Sequence, residues 1–224
     1  MHSDDVFVQF AVLKLDSAWY SLGDTEKESR RDEALKLINS QKHIRVGSYA
    51  LTGIEPEADI MLWLVSSSLE ELQYFLTQLL KSGIGRYLLL KHSLIGLTGK
   101  SEYVREHDTQ SQSLNSSERG KYIAVYPFIK TSEWYLLGGD ERGEMMKEHV
   151  QIARGFKSIR QGLAYSFGLD DQEFVLSYET DDLREYRDLA RALREARVRK
   201  YTLKETPVFL GVRRSIEEII KTLW

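Results

Sequence analysis

The chain repeats itself. Ser17, Trp19, Tyr20, Leu22 and Gly23 recur as Ser132, Trp134, Tyr135, Leu137 and Gly138, each 115 residues later (132 − 17 = 115). Ile44, Arg45, Gly47 and Gly53 recur as Ile159, Arg160, Gly162 and Gly168 at the same offset. Leu69, Glu71, Tyr87 and Leu89 recur as Leu183, Glu185, Tyr201 and Leu203 at 114 (183 − 69 = 114), one residue having been lost. Identities this numerous on one register mean that both halves build the same unit.

Hydrophobic periodicity gives that unit its element order. Residues 6–15 are dense in Val, Phe and Leu and read as a strand. Residues 25–39 read as a charged helix with Ala34, Leu35 and Ile38 inside, and 44–51 and 60–66 as two strands about a turn at Gly53 and Pro56. Leu69, Leu72, Leu76 and Leu79 lie on one face of a helix, and 87–97 closes the half as a strand. The order β-α-β-β-α-β is ferredoxin-like. It begins again with a strand at 122–130, a helix at 140–156, strands at 159–167 and 173–178, a helix at 183–199, a strand at 207–212 and a short terminal helix at 215–224. The fold class expected is α+β: duplicated ferredoxin-like units whose two sheets pack as a dimeric α+β barrel within one chain. The boundaries expected are an N-terminal half at 1–97, a polar linker or lid at 98–121 around QSQSLNSSERG, and a C-terminal half at 122–224 carrying the site.

Composition narrows the chemistry. The chain has no cysteine, which removes disulfides, thiolate nucleophiles, Cys-ligated zinc and iron–sulfur clusters together. With 31 basic and 34 acidic residues, nothing points to a nucleic-acid partner. No apolar run is long enough to span a bilayer and the N-terminus lacks a secretory pattern, so a soluble, cytoplasmic protein is the expectation.

The repeat is also an internal control, because what the fold requires should occur twice. Tyr126 falls opposite Ala11, Lys130 opposite Leu15, His149 opposite Ala34 and Gln161 opposite Val46. His149 lies on the helix stripe Met145, His149, Ile152, Phe156. A lone histidine on such a stripe is most often a satisfied core residue. The alternative is a ligand, and a single histidine without a second His or a carboxylate cluster suits haem better than zinc. Period-two alternation puts Tyr126, Phe128 and Lys130 on one strand face, with Tyr126 and Lys130 about 13 Å apart, a span for the two ends of a large flat ligand. Pro127 in that strand implies a bulge or an edge.

The duplication, the string YPFIKTSEWYLL and the histidine 23 residues after Tyr126 (149 − 126 = 23) together resemble the chlorite dismutase–coproheme decarboxylase family. The similarity covers essentially the whole chain and is most specific from Lys121 to Arg214. The resemblance implies a haem protein, commonly a homopentamer, with His149 as the proximal iron ligand. It implies that Tyr126 is the tyrosine oxidised in the decarboxylase branch, with Lys130 assisting at a propionate. Trp134, Phe128, Gln161 and Arg105 are expected to contact the cofactor. Chlorite dismutases resemble one another in a distal arginine, where this chain has Gln161, so dismutation is disfavoured. SEYVREH resembles a decarboxylase pattern in which a histidine, here His107, deprotonates hydrogen peroxide. Arg105, Arg119, Lys121 and Lys130 are available for propionates, and Glu195 and Glu205 as partners of the proximal imidazole. The expected activity is peroxide-dependent coproheme decarboxylation. The alternatives are weak peroxidase or catalase-like activity on bound haem, and a haem carrier or sensor without catalysis.

Overall fold

The structure, a computed structural model, describes residues 5–99, 114 and 119–223. It divides into two compact units, one formed by the chain up to Leu97 together with the segment from Gly211 onward, the other by Thr98 to Leu210.

In unit 1, β1 (Phe7–Leu15), α1 (Asp24–Asn39), β2 (Arg45–Ala50), β3 (Ile60–Ser66), α2 (Leu69–Lys81) and β4 (Leu88–Leu97) follow the expected order. β1 pairs antiparallel with both β3 and β4, and β3 with β2, so the sheet runs β4-β1-β3-β2. This is the ferredoxin-like order, reached because a helical crossover after β1 and another after β3 each return the chain beside an earlier strand. Every residue of β3 is buried, as a central strand covered on both faces requires. Ser68 caps α2 by accepting from the Glu71 amide. A single continuous core joins Ala11, Leu13, Leu62, Leu64, Leu72 and Phe75 with the two helices.

Unit 2 repeats the plan with β5 (Tyr122–Lys130), a short α3 (Ser132–Leu136), α4 (Gly139–Ala153), β6 (Arg160–Tyr165), β7 (Phe174–Thr180), α5 (Leu183–Arg194) and β8 (Thr202–Lys204). β7 pairs with β5 and β6, and β8 with β5, giving β8-β5-β7-β6. The repeated residues do repeated work. Gly53 (φ 78) and Gly168 (φ 69) make the same left-handed turn before the third strand of each unit. Trp19 packs on Tyr87 at 5.5 Å between ring centroids, and Trp134 on Tyr201 at 5.7 Å.

The strand expected at 207–212 is present as β9 (Phe209–Arg213), whose last residues, Val212 and Arg213, pair with Ala50 and Tyr49 of β2. From Gly211 the chain joins unit 1, because α6 (Ile216–Thr222) buries Ile216, Ile219 and Ile220 in the core that holds Trp19. The Trp19 indole N–H donates to the Leu223 carbonyl at 3.0 Å. Trp19→Phe leaves that buried acceptor unpaired, and urea denaturation should show a loss of about 1–3 kcal/mol.

Candidate functional site

One face of the unit 2 sheet carries the residues that unit 1 lacks. Directly paired residues share a face, so the register sets out three rows: Gln161, Tyr178 and Ala124; then Leu163, Leu176 and Tyr126; then Tyr165, Phe174 and Phe128. That face looks toward the helices, since Tyr126, Leu176 and Tyr178 pack with Ala153 at the end of α4, with Phe156 just after it, and with Tyr186, Leu189 and Leu193 of α5. His149 projects from α4, half-buried.

The helices of unit 2 are poorly seated by comparison with their counterparts. α1 buries Lys27, Arg31, Ala34 and Ile38, whereas α4 buries Met145 alone. α2 buries Leu72, Phe75, Leu76 and Leu79, whereas α5 buries Leu189 alone. The apolar residues beneath α4 and α5 fall into separate clusters. One holds Trp134, Met145, Ala196 and Val198, the other Ile159, Tyr178 and Leu189. Lys130 and Trp134 mark the first, Tyr126 the second, and His149 lies on α4 between Met145 of one and Ala153 of the other. Unit 1 gathers its buried apolar residues into one large cluster, whereas the two beneath α4 and α5 are small and separate.

The electrostatics match that burial. The Nδ1 atom of His149 is buried and has no hydrogen-bond partner among the described residues. Burial, then the nearby Lys130 charge, push the imidazole down to about 4, with Glu148 opposing, so it is neutral at pH 7. A core histidine retained for structure would be satisfied; this one keeps a buried nitrogen unused. Lys130 is 9% exposed, its ammonium 4.5 Å from the Trp134 ring centroid and 5.2 Å from that of Phe128. Its amide donates to Glu173 at 2.7 Å, which also accepts from the Tyr135 hydroxyl. Burial lowers Lys130 to about 8 against the attraction of Glu205 and Glu173, and Arg199 lowers it further. Tyr126 is pushed well above the usual phenol range by burial and then by Tyr178 and Tyr186, so it stays a neutral O–H.

The folded state thus holds the Lys130 proton less tightly than the unfolded chain does. The penalty is fully present below about pH 8 and fades as pH rises toward the ordinary lysine value of 10.5. Lys130→Met should therefore stabilise the ligand-free protein at pH 7 by on the order of 2 kcal/mol in urea, with a smaller gain at pH 9.5.

Of the residues expected at the site, Tyr126, Phe128, Lys130, Trp134, His149 and Gln161 all belong to unit 2. Tyr126 and Gln161 share a sheet face, while Lys130 lies against Trp134 and Phe128 and close enough to His149 for its charge to act there. Arg105 and His107 lie outside the described residues, as does most of the expected 98–121 lid. Glu205 is held by Arg194 and Arg199, each at 3.1 Å, and Glu195 is exposed at the end of α5. Tyr178 and Tyr186, stacked behind Tyr126, were not singled out by sequence. A groove of about 460 Å³ along α4, lined by Arg142, Lys147 and Arg154, contains none of the expected residues. Among the described residues no three His, Asp or Glu side chains gather as a metal site.

The chlorite dismutase family profile matches residues 16–214. A coproheme decarboxylase from Mycolicibacterium smegmatis is 35% identical over 196 residues, covering 86% of this chain and 84% of that protein. A chlorite dismutase from Ideonella dechloratans is 26% identical over 229 residues, covering 97% and 80%. The solved structure of chlorite dismutase from Candidatus Nitrospira defluvii in complex with imidazole superposes with a TM-score of 0.88 at 29% identity, covering 97% of this chain and 94% of that one. With a family match across nearly its whole length, the same fold and a relative above a third identical, the chain belongs to the chlorite dismutase family.

Proposed function

We propose that this protein is a haem-dependent enzyme that converts coproheme to protohaem with hydrogen peroxide. The observation that carries the reading is the divided interior of unit 2, edged by Tyr126, Lys130, Gln161 and a neutral His149 with an unpartnered buried nitrogen. The 35% identity to a coproheme decarboxylase supports it. The residues fit an iron porphyrin, because such a group needs only one neutral nitrogen from the protein, which His149 would supply.

When bound, the iron porphyrin supplies one-electron oxidation at the expense of peroxide and presents its own propionates as substrate. The protein's part is positioning and hydrogen transfer. His149, uncharged at pH 7, would hold the iron without first losing a proton. Tyr126 keeps its hydroxyl proton and is a donor of one electron and one proton together. As a phenoxyl it removes a hydrogen atom from the propionate, and loss of one further electron lets the carboxylate leave as carbon dioxide, which leaves a vinyl group. Lys130 places a cation in the same interior to receive a carboxylate, and Trp134 and Phe128 hold it there. Gln161 offers hydrogen bonds without charge, whereas the dismutase reading calls for an arginine. His107 as the peroxide base and Arg105 as a cofactor contact rest on the resemblance.

Coproheme titrated with peroxide should lose two carboxyl groups in succession, seen by mass spectrometry, and chlorite should release no oxygen. A protein that binds the porphyrin and consumes peroxide slowly with every propionate intact is a peroxidase-like relative instead. A homopentamer belongs to the same reading and is checked by light scattering. No helix among the described residues is long and apolar enough to cross a membrane.

A further inference from the structure

Three tyrosines stand in line in unit 2. The Tyr126 and Tyr178 rings are nearly parallel, 11° between planes with centroids 5.9 Å apart, and their hydroxyls share a hydrogen bond. The Tyr178 ring meets that of Tyr186 at 5.4 Å and 42°. Tyr178 is 6% exposed, whereas Tyr186 on α5 is half-buried, so the line leads from the interior to the outer helix.

The fold does not require these tyrosines. Tyr126 pairs across the sheet with Leu176 as Ala11 does with Leu62, which makes Leu64 the counterpart of Tyr178 (178 − 64 = 114). The same offset relates Leu183 to Leu69 and makes Leu72 the counterpart of Tyr186 (186 − 72 = 114). Unit 1 thus places Ala11, Leu64 and Leu72 at the three positions, all wholly buried in one apolar core. Hydroxyls put into an interior where Ala and Leu suffice carry a desolvation cost, and Tyr178 and Tyr186 follow in ring contact from Tyr126, the one tyrosine already assigned a redox role.

We propose that Tyr178 and Tyr186 form a relay that carries an oxidising equivalent from Tyr126 out to α5. The relay rests on the reading of Tyr126 as the residue oxidised at the expense of peroxide. In its first step the Tyr126 phenoxyl takes one electron and one proton from Tyr178. An O–H bond re-forms on Tyr126 as one breaks on Tyr178, with no net redox change. The second step is the same net exchange between Tyr178 and Tyr186. The Tyr186 phenoxyl then takes a hydrogen atom from a small soluble reductant such as a phenol. The line gives Tyr126 an outlet when no propionate is in place, and makes Tyr186 a second point of one-electron oxidation.

The test substitutes Tyr186→3-aminotyrosine, a more easily oxidised ring with its own electron paramagnetic resonance signature, in the coproheme-loaded protein frozen after peroxide addition. The aminotyrosyl signal should appear and should be lost when Tyr178→Phe, which keeps the ring and removes only the hydroxyl, is added. A signal that persists in the Tyr178→Phe background overturns the relay, as does no signal from a protein that still decarboxylates. If the unmodified protein neither decarboxylates nor forms a tyrosyl radical, the reading of Tyr126 falls and the relay with it.

Discussion

Tyr126→Phe should bind coproheme with an unchanged spectrum yet lose decarboxylation by roughly three orders of magnitude, about 4 kcal/mol in the barrier. The ring alone cannot stand in for the phenol, because the step needs an oxygen that gives up and regains a hydrogen atom. The phenylalanine ring still fills the space against Tyr178, so the pocket keeps its shape. Tyr178 loses its hydroxyl partner, which lowers stability by about 1 kcal/mol and leaves the protein folded at the assay temperature. Single-turnover mass spectrometry separates the outcomes. Propionate loss at a rate close to that of the unsubstituted protein would remove Tyr126 from the chemistry.

His149→Ala should have the second large effect, in two opposite directions. A Soret titration should show the axial imidazole gone and porphyrin affinity reduced by roughly two orders of magnitude, about 3 kcal/mol. The ligand-free protein should be at least as stable as before, since the substitution removes a buried, unpartnered nitrogen. Unit 1 supports that sign directly, because it uses Ala34 at the same place and buries it completely. A residue that weakens the empty fold and tightens the loaded one is kept for its ligand. An unchanged spectrum in the variant would show that iron is held elsewhere.

How much of this was legible beforehand differs between fold and site. The repeat carries the fold, since Trp19 with Trp134, and Gly53 with Gly168, do the same work in both units. The strands and helices follow with shifts of a few residues at their ends. The strand expected at 207–212 forms as β9, whereas the three residues of β8 before it are too few to show a period. Periodicity reports that a stretch is extended, not which sheet it joins. Partner choice for β9 and α6 is a tertiary decision, settled by the apolar residues around Trp19. At the site, the asymmetry between halves picks out Tyr126, Lys130, Gln161 and His149 from sequence. The same comparison applied to Tyr178 against Leu64 and Tyr186 against Leu72 would have found the stack. It was hidden because a tyrosine on a strand or an amphipathic helix is ordinary packing until its neighbours are known. The divided core beneath α4 had no sequence signal at all, because packing density is a property of facing surfaces.

The hold of α6 and Leu223 on Trp19 has a consequence for how the protein is made. A ribosome releases residues 98–210 before residues 211–223, so the second unit has all its parts in hand first. The first unit waits through that interval with a core open where Ile216, Ile219, Ile220 and Leu223 will close it. Its nascent form exposes apolar surface that only the end of the sequence can cover, and is the stage at which a chaperone would find it.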